Sequence, residues 1–147
     1  MKKYFLYAML SVIIGSCTSN KNEANIAIQV SFSEKLSDQP IDGRMLLMLS
    51  NNDEAEPRFQ IGEGLNNQII FGQNVEGLEA NESVSFTEKI FGFPIPSLSQ
   101  LKPGEYYVQA LLHTYETFNL ETGQTVKLPM DNGEGQKWNS SPGNLYS

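Results

Sequence analysis

Three residue types that often carry chemistry are nearly missing from this chain of 147 residues: it has one cysteine, one histidine and one tryptophan. A single cysteine, Cys17, excludes a disulfide within the chain and a cysteine-ligated metal site. A single histidine, His113, excludes a multi-histidine metal centre. Basic residues are also scarce, 10 Lys and Arg against 17 Asp and Glu. That balance argues against a nucleic-acid partner, because such affinity comes from neutralising phosphates with cations. No Gly-x-x-x-x-Gly-Lys or Gly-x-Gly-x-x-Gly string is present to cradle phosphate, and no Gly-x-Ser-x-Gly elbow to expose a nucleophile.

Long apolar runs are absent too. The longest, Tyr4 to Gly15, has twelve residues. As a helix it would reach about 18 Å, short of the roughly 30 Å hydrocarbon core. Met1-Lys2-Lys3 precedes it, and Ile14-Gly15-Ser16 leads from it into Cys17. A positive start, a short apolar stretch and a small-residue exit are the marks of a secretory signal. The arrangement resembles a bacterial lipoprotein signal, in which cleavage before the cysteine frees it to carry lipid, with palmitate among the acyl chains. On that reading residues 1–16 are removed and Cys17 is the lipidation site. Two or more acyl chains hold a protein firmly at a membrane, where one holds it only marginally. The expected location is the bacterial cell envelope, on the periplasmic or surface side of the outer membrane. Without Lys2 and Lys3 the basic residues fall to 8 against 17 acidic ones, a side-chain balance of −9. Such a surface favours solubility, so the lipid rather than charge would provide the anchor.

Residues 17–25 are polar and read as a flexible tether. Residues 26–147 form the expected domain, long enough for one core. Its rhythm has period two. Ile26, Ile28, Val30 and Phe32 alternate with small or polar residues, as in a strand with one buried face. Asp38 to Gly43 is turn chemistry, and Arg44 to Ser50 is apolar on both faces, which predicts a central strand. Gln68 to Phe71 and Val84 to Phe86 predict two more strands, the latter reaching to Ile90. Gly92, Pro94 and Pro96 break the pattern. Leu101-Lys102-Pro103-Gly104-Glu105-Tyr106 reads as a corner entering a strand, with the tyrosine hydroxyl able to bond back to preceding backbone. That strand runs to about Tyr115. Tyr106, Val108, Ala110 and Leu112 are expected on its core face, and Tyr107, Gln109, Leu111, His113 and Tyr115 on the other. Phe118 to Leu128 reads as a hairpin arm with its tip at Glu121-Thr122-Gly123. Residues 129–147 have no period, and Leu145-Tyr146 reads as the start of a strand that continues beyond the given sequence. The expectation is an all-β fold of about seven strands, a β-sandwich of immunoglobulin or fibronectin type, without helices.

His113 could serve as a general base only beside a nucleophile and an orienting acid, and no serine sits on a recognisable elbow. Asp131, Asn132 and Glu134 offer oxygen in a glycine-rich loop but lack the spacing of a calcium loop. They read as a solvated turn, and no cofactor is expected. Tyr107, His113, Tyr115 and Trp138 form the candidate binding surface. Rings with a polar tip suit a sugar face, a docked partner domain or a core covered on both sides. Asn81-Glu82-Ser83 and Asn139-Ser140-Ser141 match a glycosylation sequon by chance.

Several strings between Pro40 and Ser147 carry a family likeness: Asp42-Gly43-Arg44, Glu56-Pro57-Arg58-Phe59, Pro103 to Ala110, and Gly133 to Trp138 with Pro142 to Ser147. Together they resemble the N-terminal β-rich region of secreted bacterial esterase-type lipoproteins, where a sandwich domain precedes an α/β-hydrolase domain. The resemblance implies a non-catalytic accessory domain at the front of a hydrolase, with that hydrolase domain as its partner. The nucleophile elbow would belong to the hydrolase, and this sequence has none. The alternative is a stand-alone surface module that binds glycan or protein.

Overall fold

The computed structural model describes residues 26–62, 64, 66–129 and 137–147. Cys17, the tether and the Asp131–Glu134 turn therefore lie outside the described residues. The strands are β1 (Ile28–Val30), β2 (Ile41–Ser50), β3 (Ile69–Leu78), β4 (Val84–Phe86), β5 (Gly92–Phe93), β6 (Tyr107–Asn119), β7 (Thr125–Pro129) and β8 (Leu145–Tyr146). Single 3₁₀ turns occupy Pro57–Phe59 and Leu98–Gln100. The fold is an all-β sandwich of unequal layers. A large sheet runs β5-β3-β2-β6-β7, with β8 on the free side of β6, and a small sheet pairs β1 with β4.

The doubly apolar β2 is central, as its composition demands. It pairs antiparallel with β3 on one side and β6 on the other, so Leu47 lies between Phe71 and Ala110. Its odd-numbered residues Met45, Leu47 and Leu49 face the small sheet and join Phe71, Phe86, Leu98 and Leu112 in the main core. Its even-numbered Leu46 and Met48 face the opposite way and join Leu111, with Ile61, Ile70 and Trp138 packed over them. Both faces of the large sheet are thus covered. Gln73 also ties the layers, donating from Nε2 to the Ser85 carbonyl at 2.9 Å.

Two glycines are dictated by backbone geometry. At Gly43 an added Cβ would collide with the carbonyl oxygen of His113 on β6. At Gly77 the chain turns through φ +59°, where side chains are strained. Here two residues of β3, Glu76 and Gly77, oppose the single Asp42 of β2 in a bulge. Asp42 Oδ1 accepts the Gly77 N–H at 2.8 Å, and its Oδ2 meets Lys127 Nζ of β7 at 2.8 Å.

Three sequence expectations need correction. Val108, expected on the core face, is 52% exposed. It does share a face with Leu112, but β8 covers only Leu111 and Leu112 and β7 only Tyr115 to Asn119. The edge beside Val108 is left bare among the described residues. Phe118 belongs to the outgoing strand, and the return arm begins at Thr125. Ile90 lies in a turn rather than in β4, although it packs on the core. Leu145 and Tyr146 do form a strand, against β6.

Candidate functional site

The proposed corner is present. Tyr106 Oη donates to the Lys102 carbonyl at 3.0 Å, across the Pro103-Gly104 bend. From there β6 sends Tyr107, Gln109, Leu111, His113 and Tyr115 to one face, as alternation requires.

On that face a polar network closes over the second core. Gln109 is only 4% exposed and makes three hydrogen bonds with its amide. Its Oε1 accepts the Arg58 N–H at 3.0 Å, while Nε2 donates to Glu56 Oε2 at 2.9 Å and to the Ser147 carbonyl at 2.8 Å. The Arg58 guanidinium lies 3.7 Å from the Tyr146 ring centre and 4.6 Å from that of Phe59. Its Nε is 2.9 Å from Glu56 Oε2, but the N–H is not aimed at that oxygen, so the contact is an ion pair rather than a hydrogen bond. The Gln109 amide, and then the Arg58 charge, hold the Glu56 carboxyl below the ordinary range. Asn139 Nδ2 donates to the Arg58 carbonyl at 3.3 Å. His113 Nδ1 is 2.9 Å from Asn144 Oδ1. The Asn144 amide nitrogen donates to the Trp138 carbonyl at 2.7 Å, which leaves its oxygen as acceptor and places the proton on Nδ1 of His113.

The four ring residues named from sequence do share this side of the sheet but not one surface. Eight positions at about 3.3 Å each separate Tyr107 from Tyr115, roughly 26 Å. Between them His113 is buried, edge-on to Tyr115 with ring centres 5.9 Å apart. Trp138 is half-buried on Leu46, Met48 and Leu111. Only Tyr107 offers more than half of its surface.

A different feature gathers polar groups around open space. At the end of the sheet where β2 leaves and β3 and β6 begin lies a cleft of about 540 Å³. Seven of its 13 lining residues carry a side-chain amide. Four of these amides are braced. Asn51 and Gln68 exchange two bonds, Asn51 N to Gln68 Oε1 and Gln68 Nε2 to Asn51 Oδ1, both 3.2 Å. Asn52 Nδ2 also donates to Asn51 Oδ1 at 3.2 Å, and Gln60 Nε2 donates to the Ala55 carbonyl at 2.6 Å. Asn66 and Gln100 are exposed at the rim. Asn67 accepts the Gly62 N–H, while its Nδ2 is enclosed without an acceptor among the described residues. Among the described residues the cleft holds one acid, Glu54, and one base, Lys102; Ile69, Ile95 and the Tyr106 ring supply apolar wall.

Sequence reasoning passed over this cleft. Its signal is the pairing of Asn51-Asn52 at the exit of β2 with Asn66-Asn67-Gln68 at the entrance of β3, two amide runs that an antiparallel pair must bring together. Among the described residues no group of three or more His, Cys, Asp or Glu side chains is placed to hold a metal, and no helix is long and apolar enough to cross a membrane. No protein-family model, curated protein or solved structure matches the chain.

Proposed function

We propose that this chain is a non-catalytic β-sandwich domain of a lipid-anchored protein of the bacterial envelope, and that its work is to bind glycan at the cell surface or in the periplasm. The observation that carries the binding reading is the amide-lined cleft. It is of the size of small-ligand sites, about 300–1,000 Å³, and its polar walls are held in place before any ligand arrives. The one described histidine supports the non-catalytic side: it is buried and fixed to an amide, with no carboxylate or hydroxyl nucleophile bonded to it among the described residues. The anchor rests on the lipoprotein-like leader ending at Cys17.

The test has two arms. Cys17→Ser should move the protein from the membrane fraction to the soluble fraction and end its labelling by a fatty-acid probe; continued labelling sinks the anchor. The purified chain should retain glycans on an array and leave aryl-ester substrates intact. Ester turnover by this chain would remove the non-catalytic assignment.

A second reading, the front end of an esterase-type protein, is favoured by one observation. Strings that carried the resemblance from far apart in sequence, Glu56 to Phe59, Pro103 to Ala110 and Pro142 to Ser147, meet through Gln109, Tyr146 and Ser147 in the single network around Arg58. They behave as parts of one architectural signature. Coding sequence running on past Ser147 into a Gly-x-Ser-x-Gly segment would support it.

A further inference from the structure

We infer that the cleft between the β2 exit, the β3 entrance and Tyr106 is the glycan site itself, and that its ligand is a neutral saccharide; this rests on the binding reading above. A carboxamide offers a donor and an acceptor about one hydroxyl spacing apart. Adjacent sugar hydroxyls each donate and accept, so the two match as forks. Of the seven amides that line the cleft, Asn66 and Gln100 offer whole forks at the rim, and the braced ones offer what their own bonds leave over. A charged ligand would want something else. Among the described residues an anion would find one cation, Lys102, offset by Glu54, and a cation would find the reverse. An apolar ligand would strand the rim amides of Asn66 and Gln100 without partners, at a cost for each. An extended peptide docking by strand addition needs a free strand edge, and what this cleft presents is side chains. The apolar walls fit as well: the C–H face of a pyranose ring can lie on Tyr106, whose hydroxyl is already committed to Lys102 and fixes the ring.

Preorganisation makes the site specific. The Asn51–Gln68 exchange and the Gln60 clamp hold the floor, so little side-chain entropy is lost on binding. The rim residues Asn66 and Gln100 are exposed and would close on the ligand. They can be changed without disturbing the fold.

The full chain is applied to an array of neutral, N-acetylated and acidic oligosaccharides, with thermal unfolding monitored for every variant. The expected result is retention of neutral glycans, weakened about tenfold or more by the double substitution Asn66→Ala with Gln100→Ala, an effect of two lost hydrogen bonds. Unfolding should be unchanged, and acidic glycans should pass unretained. A second variant, Gln68→Leu, should weaken binding by loosening Asn51. Three results would overturn the inference. Undiminished glycan binding in the double variant would spare the binding reading but remove the cleft. Retention of acidic glycans alone, lost with Lys102→Met, would remove the neutral class. An array with no glycan retained would end both readings together.

Discussion

Individual residues in this protein are chosen by how many bonds they close. Gln109 is the strongest case, satisfying Arg58, Glu56 and Ser147 from one buried position. Gln109→Leu keeps the volume and removes the bonds. It should lower unfolding free energy by about 1–3 kcal/mol in a denaturant titration, the cost of leaving a buried polar group unpaired. Tyr106→Phe deletes one hydroxyl bond to Lys102 and should cost about 0.5–1.5 kcal/mol by the same measurement. Gly77 answers to backbone geometry instead. Alanine there must adopt a left-handed conformation, and a loss of about 1–2 kcal/mol is expected. A wild-type unfolding midpoint for Gly77→Ala would show that the bulge tolerates a Cβ.

At the scale of elements, charge links strands that hydrogen-bonding order keeps apart. Asp42 of β2 reaches Lys127 of β7 across β6. The Lys127 ammonium, then the Gly77 N–H, hold the Asp42 carboxyl below its usual range, and Asp42 in turn raises Lys127. A depressed carboxyl stabilises the fold above its unfolded pKa and loses that contribution as pH falls through its folded pKa. A raised amine stabilises below its unfolded pKa and loses that contribution as pH rises through its folded pKa. Stability should therefore be level through neutral pH and decline on the acid side of the carboxylate range and the alkaline side of the lysine range. Asp42→Asn should flatten both declines, measured as unfolding midpoint against pH; Glu56→Gln should flatten only the acid one. Elements also show what could be read in advance. Period-two alternation found β1, the doubly apolar run found β2 as the central strand, and Pro103-Gly104-Tyr106 found the corner. The far half of β3, Gly72 to Leu78, was invisible because it is polar. There the pairing partner decides: Arg44 lies over Gly72, donating to the Gly72 carbonyl at 3.0 Å and to Asn74 Oδ1 at 2.7 Å, so a polar segment completes the sheet. The cleft was equally hidden, since amide runs read locally as loop and gain meaning only when two loops converge.

For the whole molecule, the position of β2 sets the order of protection. It is paired on both sides and buried on both faces. Amide hydrogens of Met45 to Leu49 should exchange slowest, near the global unfolding free energy, and those of β7, an edge strand with mostly exposed side chains, far sooner. Exchange in β2 as fast as in β7 would contradict the layered arrangement. Gly43→Ala tests the same centre: pushing β6 away from β2 should disturb both cores, giving broad loss of exchange protection across the large sheet rather than a local effect.

Arg58 finds a backbone partner in Asn139, 81 positions further along the chain. A ribosome works from one end only. Leu46, Met48 and Leu111 are all made before Trp138, which helps shelter them. During translation this second greasy face must wait uncovered, so a nascent chain halted before Trp138 should be the form that chaperones hold longest.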